Sequence, residues 1–97
     1  MENQNLNQEK VFINSLGSSD LHSYTLCLEA YNDNARMEEI ADIGFNTSSG
    51  YVYIALENGI CIASCFGRPV EYIAINFEDG EETFHETYDQ ALNYINN

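Results

Sequence analysis

The 97-residue chain reads as an α+β two-layer sandwich, an antiparallel sheet of about four to five strands with two helices. Three observations predict this. Asn58-Gly59 lies between two apolar runs and Asp79-Gly80 between Val70 to Phe77 and Glu81 to Glu86, and a dipeptide that tolerates positive φ is a strong short-range hairpin signal. Two stretches, residues 34–43 and the segment after Thr87, place apolar residues at helical spacing behind a capping side chain. A composition that is 44% hydrophobic and 12% aromatic provides for one small core, which excludes a disordered acidic tail.

Residues 1–9, with Asn3, Gln4, Asn5, Asn7 and Gln8 around Leu6, lack periodicity and read as a flexible tail, leaving 10–97 as one domain. Val11, Phe12, Ile13 and Leu16 form a short apolar cluster, a brief strand or one helical turn, that would dock on the core. From Leu21 to Tyr31, Tyr24, Leu26, Leu28 and Ala30 alternate with Ser23, Thr25, Cys27 and Glu29. Period two predicts a strand with one buried face. Asp33 or Asn34 then caps a predicted helix over about 34–43, with Met37, Ile40 and Ala41 inward, Gly44 as terminator, and Glu38, Glu39 and Asp42 outward.

The hairpin around Asn58-Gly59 is expected to use a type I′ turn. That register sets Leu56 opposite Cys61, Ile54 opposite Ala63 and Val52 opposite Cys65 as a core face, with Tyr51, Tyr53, Ala55, Ile60, Ile62 and Phe66 on the other side. Gly67-Arg68-Pro69 breaks the run. A second hairpin, Val70 to Phe77 with Glu81 to Glu86, would set Ile75 against Phe84 and Glu78 against Glu81. Thr87 to Gln90 is a capping box for a terminal helix with Tyr88, Ala91, Leu92 and Ile95 on one stripe. The predicted order is strand, helix, four strands, helix. Both helices cover one sheet face, and the opposite face is free to meet something.

Charge narrows the function. Sixteen Asp and Glu against three Lys and Arg give a formal net charge of -13. Nucleic-acid binding needs bases to displace counterions, and only Lys10, Arg36 and Arg68 are available. Direct binding of nucleic acid or of an anionic membrane is therefore not expected. No apolar run approaches the roughly 20 residues that span a bilayer, and the polar start lacks the features of a signal peptide, so a cytoplasmic location is expected. Three cysteines agree with a reducing compartment. Cys61 and Cys65, four apart in one predicted strand, would have Cα atoms about 13 Å apart and cannot bridge.

Catalysis has little support. No phosphate loop, nucleophile elbow or metalloprotease motif is present. His85 and Glu86 alternate faces in a strand and cannot act as a dyad. Nothing apolar flanks Glu81 and Glu82 to raise a pKa. No metal-ligand spacing occurs, since His22 and His85 are isolated and the cysteines lack the Cys-x-x-Cys pattern. The chain is read as a non-enzyme with no cofactor.

The carboxylates themselves are the candidate site. Glu78, Asp79, Glu81, Glu82, Glu86 and Asp89 fall within twelve residues that contain no Lys or Arg. A run like this can be only a solvated edge, but ordinary surfaces intersperse both signs, with a net charge of about 2 to 8 for a small domain. Side chains at i and i+2 on a strand stand about 6.6 to 7 Å apart, a separation like that of neighbouring phosphates, and Glu82, Glu86 and Glu71 across the hairpin are expected to offer it. Glu38, Glu39 and Asp42 would supply a second row. Tyr51, Tyr53 and Tyr72 could add contact area.

In size, charge, asparagine-rich start and α+β reading, the chain resembles the small acidic phage-encoded inhibitors that mimic nucleic acid, among them the anti-CRISPR proteins of type I systems. The resemblance implies a stoichiometric inhibitor that blocks DNA binding by a basic Cas subunit of a multi-subunit surveillance complex in the host cytoplasm. The charge pattern, not an aligned motif, nominates Glu38, Glu39, Asp42, Glu71, Glu78, Asp79, Glu81 and Glu82 as the partner-binding residues. The alternative is an immunity protein or antitoxin that plugs a basic nuclease toxin, a task that acidic domains of this size also perform. A third reading is a structural or adaptor protein whose acidity only aids solubility.

Overall fold

The computed structural model describes residues 16–96, so the predicted tail and the Val11 to Ile13 cluster lie outside the described residues. Helix α1 (Ser18–Asn34) comes first, followed by strands β1 (Ile40–Asn46), β2 (Tyr51–Leu56), β3 (Ile60–Cys65), β4 (Glu71–Ile75) and β5 (Glu82–His85), then helix α2 (Tyr88–Asn96). The strands form one antiparallel meander in chain order. Helix α1 packs on β2 and β3 and α2 on β4 and β5, both on the same face. The α+β arrangement of a five-strand sheet and two helices is therefore present, with two elements exchanged relative to the sequence reading.

The first exchange is α1, where a strand was predicted. Its buried residues are Ser23, Tyr24, Cys27 and Ala30, a helical stripe of mostly small side chains that lets the helix approach the sheet closely. Cys27 Sγ donates to Val52 O at 3.6 Å, and Ser23 Oγ accepts the Gly67 N–H at 2.8 Å. Leu26 and Leu28, which drove the period-two reading, are only half buried. The second exchange is the predicted 34–43 helix. Asn34, its nominated cap, ends α1, and its Nδ2 donates to Ala30 O at 2.9 Å. Residues 35–39 form a tight connection, bridged by the Glu38 N–H to Ala35 O at 2.8 Å and by the Tyr31 hydroxyl, which donates to Glu38 O at 2.7 Å. Strand β1 follows, with a register irregularity between Ile40 and Asp42.

The hairpins also differ in register. The β2–β3 turn closes with the Gly59 N–H to Leu56 O, and only Gly59 has positive φ there (+97°). This is a three-residue loop with a left-handed glycine, not the two-residue type I′ turn. Cys61 thus pairs with Ala55, Ile62 with Ile54 and Ser64 with Val52. A one-residue slip exchanges the faces of a strand, so Ile60 and Ile62 enter the core while Cys61, Ala63 and Cys65 turn to the far side. In the β4–β5 hairpin Ile75 pairs with Glu82 and Ile73 with Phe84. Glu78 lies within the loop and does not oppose Glu81.

The core is Tyr24, Cys27, Ala30, Val52, Ile54, Leu56, Ile60, Ile62, Tyr72, Ala74, Tyr88 and Ala91, with Ala35 at its margin. Tyr72, nominated above for contact area, is buried, its ring 6.2 Å from that of Tyr88 in an edge-on arrangement. Thr87 caps α2 as expected, its Oγ1 accepting the Gln90 N–H at 3.1 Å, but Gln90 Oε1 reaches back to the Glu86 N–H at 3.0 Å and not to that of Thr87, so the capping box is made in one half only.

Candidate functional site

Meander topology places the connection before β1, the β2–β3 turn and the β4–β5 loop at one end of the sheet. Two backbone bonds tie them together there, Glu57 N–H to Glu39 O at 3.0 Å and Ile75 N–H to Gly59 O at 2.9 Å. That end carries Glu38, Glu39, Glu57, Glu78, Asp79, Glu81 and Glu82, half of the carboxyl side chains between residues 16 and 96. All but the half-buried Glu38 are exposed, and Arg36 is the one base in these connections. Met37 (89% exposed) and Phe77 (75%) stand among them. Met37 stands on the connection before β1 and Phe77 on the β4–β5 loop, each an exposed apolar side chain beside these carboxylates in sequence.

The loop over residues 77–80 is built to hold this display. Asn76 Oδ1 accepts the Glu78 N–H at 2.9 Å, Asp79 Oδ1 accepts the Glu81 N–H at 2.9 Å, and the Asn76 N–H reaches Glu81 O at 2.9 Å. Gly80, at φ +76°, supplies the left-handed step and donates its N–H to Asn76 O at 2.7 Å. The Asp79 carboxylate is therefore part of the turn as well as part of the charge, whereas Glu78 and Glu81 contribute only backbone groups to it.

The sheet face away from the helices holds the other nominated residues. Across it run two rows in register, Asp42, Ala55, Cys61, Ile73 and Phe84, then Gly44, Tyr53, Ala63 and Glu71. Of these, Tyr53, Ala55, Cys61, Ala63, Ile73 and Phe84 line an open concavity of about 440 Å³ that extends to Asn46, Ser49, Tyr51, Ile75 and Glu82. The Tyr53 hydroxyl donates to Asp42 Oδ2 at 3.2 Å, and the Tyr51 hydroxyl donates to Glu71 Oε1 at 3.1 Å. Gly44 makes the first bond possible: the Tyr53 ring lies where a Cβ at position 44 would be. Both tyrosine hydroxyls are pushed above their ordinary pKa, by partial burial first and by their carboxylate partners second. Cys61 in the floor is pushed up to about 12, by burial first and then by the fields of Glu82 and Asp42. Its thiol is neutral at pH 7, as is that of Cys27, raised to about 12 by burial and then by Cys61.

Six of the eight nominated residues thus meet at the sheet end, Glu38, Glu39, Glu78, Asp79, Glu81 and Glu82. Asp42 and Glu71 belong to the open face, and Glu82, first residue of β5, stands at the corner shared by both. Two expectations about arrangement fail. Glu38, Glu39 and Asp42 are not a helical row, because no helix covers 35–43. Glu82 and Glu71, on neighbouring strands but two pleat repeats apart, are separated by about 13 Å, twice the phosphate-like step, and Glu86 lies beyond the end of β5. Glu57, Met37 and Phe77 were missed. Glu57 was readable, since it precedes the Asn58-Gly59 turn that brings it beside Glu39.

His85 faces the helix layer, a ring nitrogen 2.8 Å from Thr83 Oγ1 and its ring against Tyr94. Among the described residues no group of three or more His, Cys, Asp or Glu could hold a metal ion, all three cysteines are free, and no helix is long and apolar enough to cross a membrane. No protein-family model matches the chain, and the comparisons with curated proteins and with solved structures found no match.

Proposed function

We propose that the chain is a stoichiometric inhibitor that presents the acidic end of its sheet to the cationic nucleic-acid groove of a basic protein, excluding the nucleic acid. The surveillance complex of a type I CRISPR system is the partner that the sequence resemblance implies. The observation that carries the reading is the convergence of Glu38, Glu39, Glu57, Glu78, Asp79, Glu81 and Glu82 at one sheet end, on and beside three tied connections that also carry exposed Met37 and Phe77. Like charges so gathered oppose compaction, and of the seven carboxylates only that of Asp79 accepts a hydrogen bond among the described residues. A cationic partner converts that repulsion into attraction and into fast, steered association. The account uses carboxylates clustered at a sheet end, not a regular ladder along a strand.

The experiment is displacement of target duplex DNA from a type I surveillance complex. Wild-type chain should release the duplex at one equivalent. The triple variant Glu78→Lys, Glu81→Lys, Glu82→Lys, which leaves the Asp79 turn bond in place, should keep the circular dichroism spectrum and need about 100-fold more protein. Equal potency of the two proteins contradicts the proposal. Displacement of nucleic acid from a basic nuclease toxin, and not from the surveillance complex, would assign the same surface to immunity or antitoxin activity.

A further inference from the structure

Asp42 and Glu71 of the open sheet face lie apart from the turn cluster, with Glu82 shared between the two, and they border something different. Tyr51, Tyr53, Ile73 and Glu82 line an open, half-exposed floor on the face that neither helix covers, and Asp42 and Glu71 stand beside it, accepting the hydroxyl bonds of Tyr53 and Tyr51. Phe84, 58% exposed, closes one side. Buried aromatic anchors inside a charged rim are the features that concentrate binding energy in protein interfaces.

We infer that this face is a second docking surface, and that its occupant is an arginine-bearing segment of the basic partner protein laid across the tyrosine floor. The inference rests on the partner being basic, as proposed above. Charge complementarity selects the occupant. A second copy of the chain would bring the same carboxylates face to face, each copy carrying a net charge of -13. Nucleic acid and anionic lipid are repelled for the same reason. An uncharged apolar segment would leave Asp42 and Glu71 desolvated without a cation. The guanidinium group suits the site in both of its parts, since its plane stacks on an aromatic ring and its fork of N–H donors matches a carboxylate. Tyr53 and Tyr51 each occupy one position on their carboxylate by donating a hydroxyl hydrogen bond, which orients the group and leaves its other lone pairs to accept. Lysine, a compact and strongly hydrated charge, gains less from such a floor.

The test uses the full ¹⁵N-labelled chain and two synthetic probes, a peptide of alternating arginine and leucine and its lysine counterpart. The arginine peptide should shift the amides of Tyr53, Cys61 and Ile73 and bind about tenfold more tightly than the lysine peptide. The double variant Asp42→Asn, Glu71→Gln should lose about tenfold in affinity for it, while Glu78→Lys with Glu81→Lys should lose much less. Shifts confined to residues 57–59 and 76–81, or equal affinity for the two peptides, overturn the inference and leave the acidic-end proposal standing. Peptide binding at the face alongside undiminished DNA displacement by the turn variant would do the reverse. Nuclear Overhauser contacts from residues 1–15 to Tyr53 or Ile73 in the free chain, or face shifts that depend on protein concentration alone, overturn it in favour of the chain's own segment or a second copy.

Discussion

Phe66 is the one non-glycine residue with positive φ among those described, at +53°, followed by Gly67 at +71°. With the Arg68 N–H bonded to Cys65 O at 3.0 Å, the two central residues of this turn are both left-handed, the geometry that Asn-Gly satisfies most readily. A bulky residue there costs about 1–2 kcal/mol, and Phe66 is 64% exposed, so burial offsets little of it. Phe66→Asn is therefore expected to raise stability by about 1 kcal/mol, measured as a later midpoint in urea denaturation. A lower midpoint would mean that the contact of its ring with Gly50 outweighs the strain. Single residues also explain what was legible here. Asn58-Gly59 marked a turn in the right place, but the dipeptide alone does not decide whether Asn58 is left-handed, and that one dihedral moved every side chain of β3 to the other face.

At the scale of elements, the sequence disclosed the terminal helix and the four strands from Tyr51 onward, because each has a strong period and a capping or turn residue at its end. It hid α1 because the buried stripe of that helix joins Tyr24 to Ser23, Cys27 and Ala30, small side chains that carry little hydrophobic signal, while partly exposed leucines at even positions with Tyr24 mimic alternation. It hid β1 because Met37, Ile40 and Ala41 fit a helical stripe, and the loss of α1 left Asn34 free to look like a cap. A signal for the registers was present and unused: Asn46 to Gly50 and Asn76 to Gly80 share one spacing and one turn. In both, the glycine N–H bonds the asparagine carbonyl at 2.7 Å and the asparagine Oδ1 accepts the N–H two residues on at 2.9 Å. Asn58 joins elements instead, accepting the Ile60 N–H at 3.0 Å and donating to the Tyr88 hydroxyl at 2.9 Å. Asn58→Ala should cost about 1–3 kcal/mol. A double-mutant cycle with Tyr88→Phe should return about 0.5–1.5 kcal/mol of coupling, and additivity would show that the turn and α2 are independent.

For the molecule as a whole, two kinds of acid act on stability. Cys27 and Cys61 rise from 9.0 in the unfolded chain to about 12 in the fold. The folded state then holds protons that the unfolded state gives up, so their contribution is fully present below about pH 9 and is lost as pH climbs toward 12. Tyr31, Tyr51, Tyr53, Tyr72 and Tyr88 shift in the same direction, mainly through burial. Urea midpoints should therefore fall steadily above about pH 9, and a flat profile to pH 12 would contradict the buried, neutral thiols. The carboxylates act differently. Their positions at the sheet end were not legible as a cluster, because it takes strand order to bring residues 38, 57 and 78 together, although each was visible as a charge without a partner.

Association rate against salt, followed by stopped flow with a type I surveillance complex, tests that cluster most directly. Exposed charges are screened beyond a Debye length that shrinks from about 14 to 4 Å between 50 and 500 mM salt. The wild-type rate should fall by about 10- to 100-fold over that range, and the Glu78→Lys, Glu81→Lys, Glu82→Lys variant should begin slower and respond far less. A wild-type rate indifferent to salt, or a variant that follows the same slope, would contradict an acidic sheet end that meets a cationic groove.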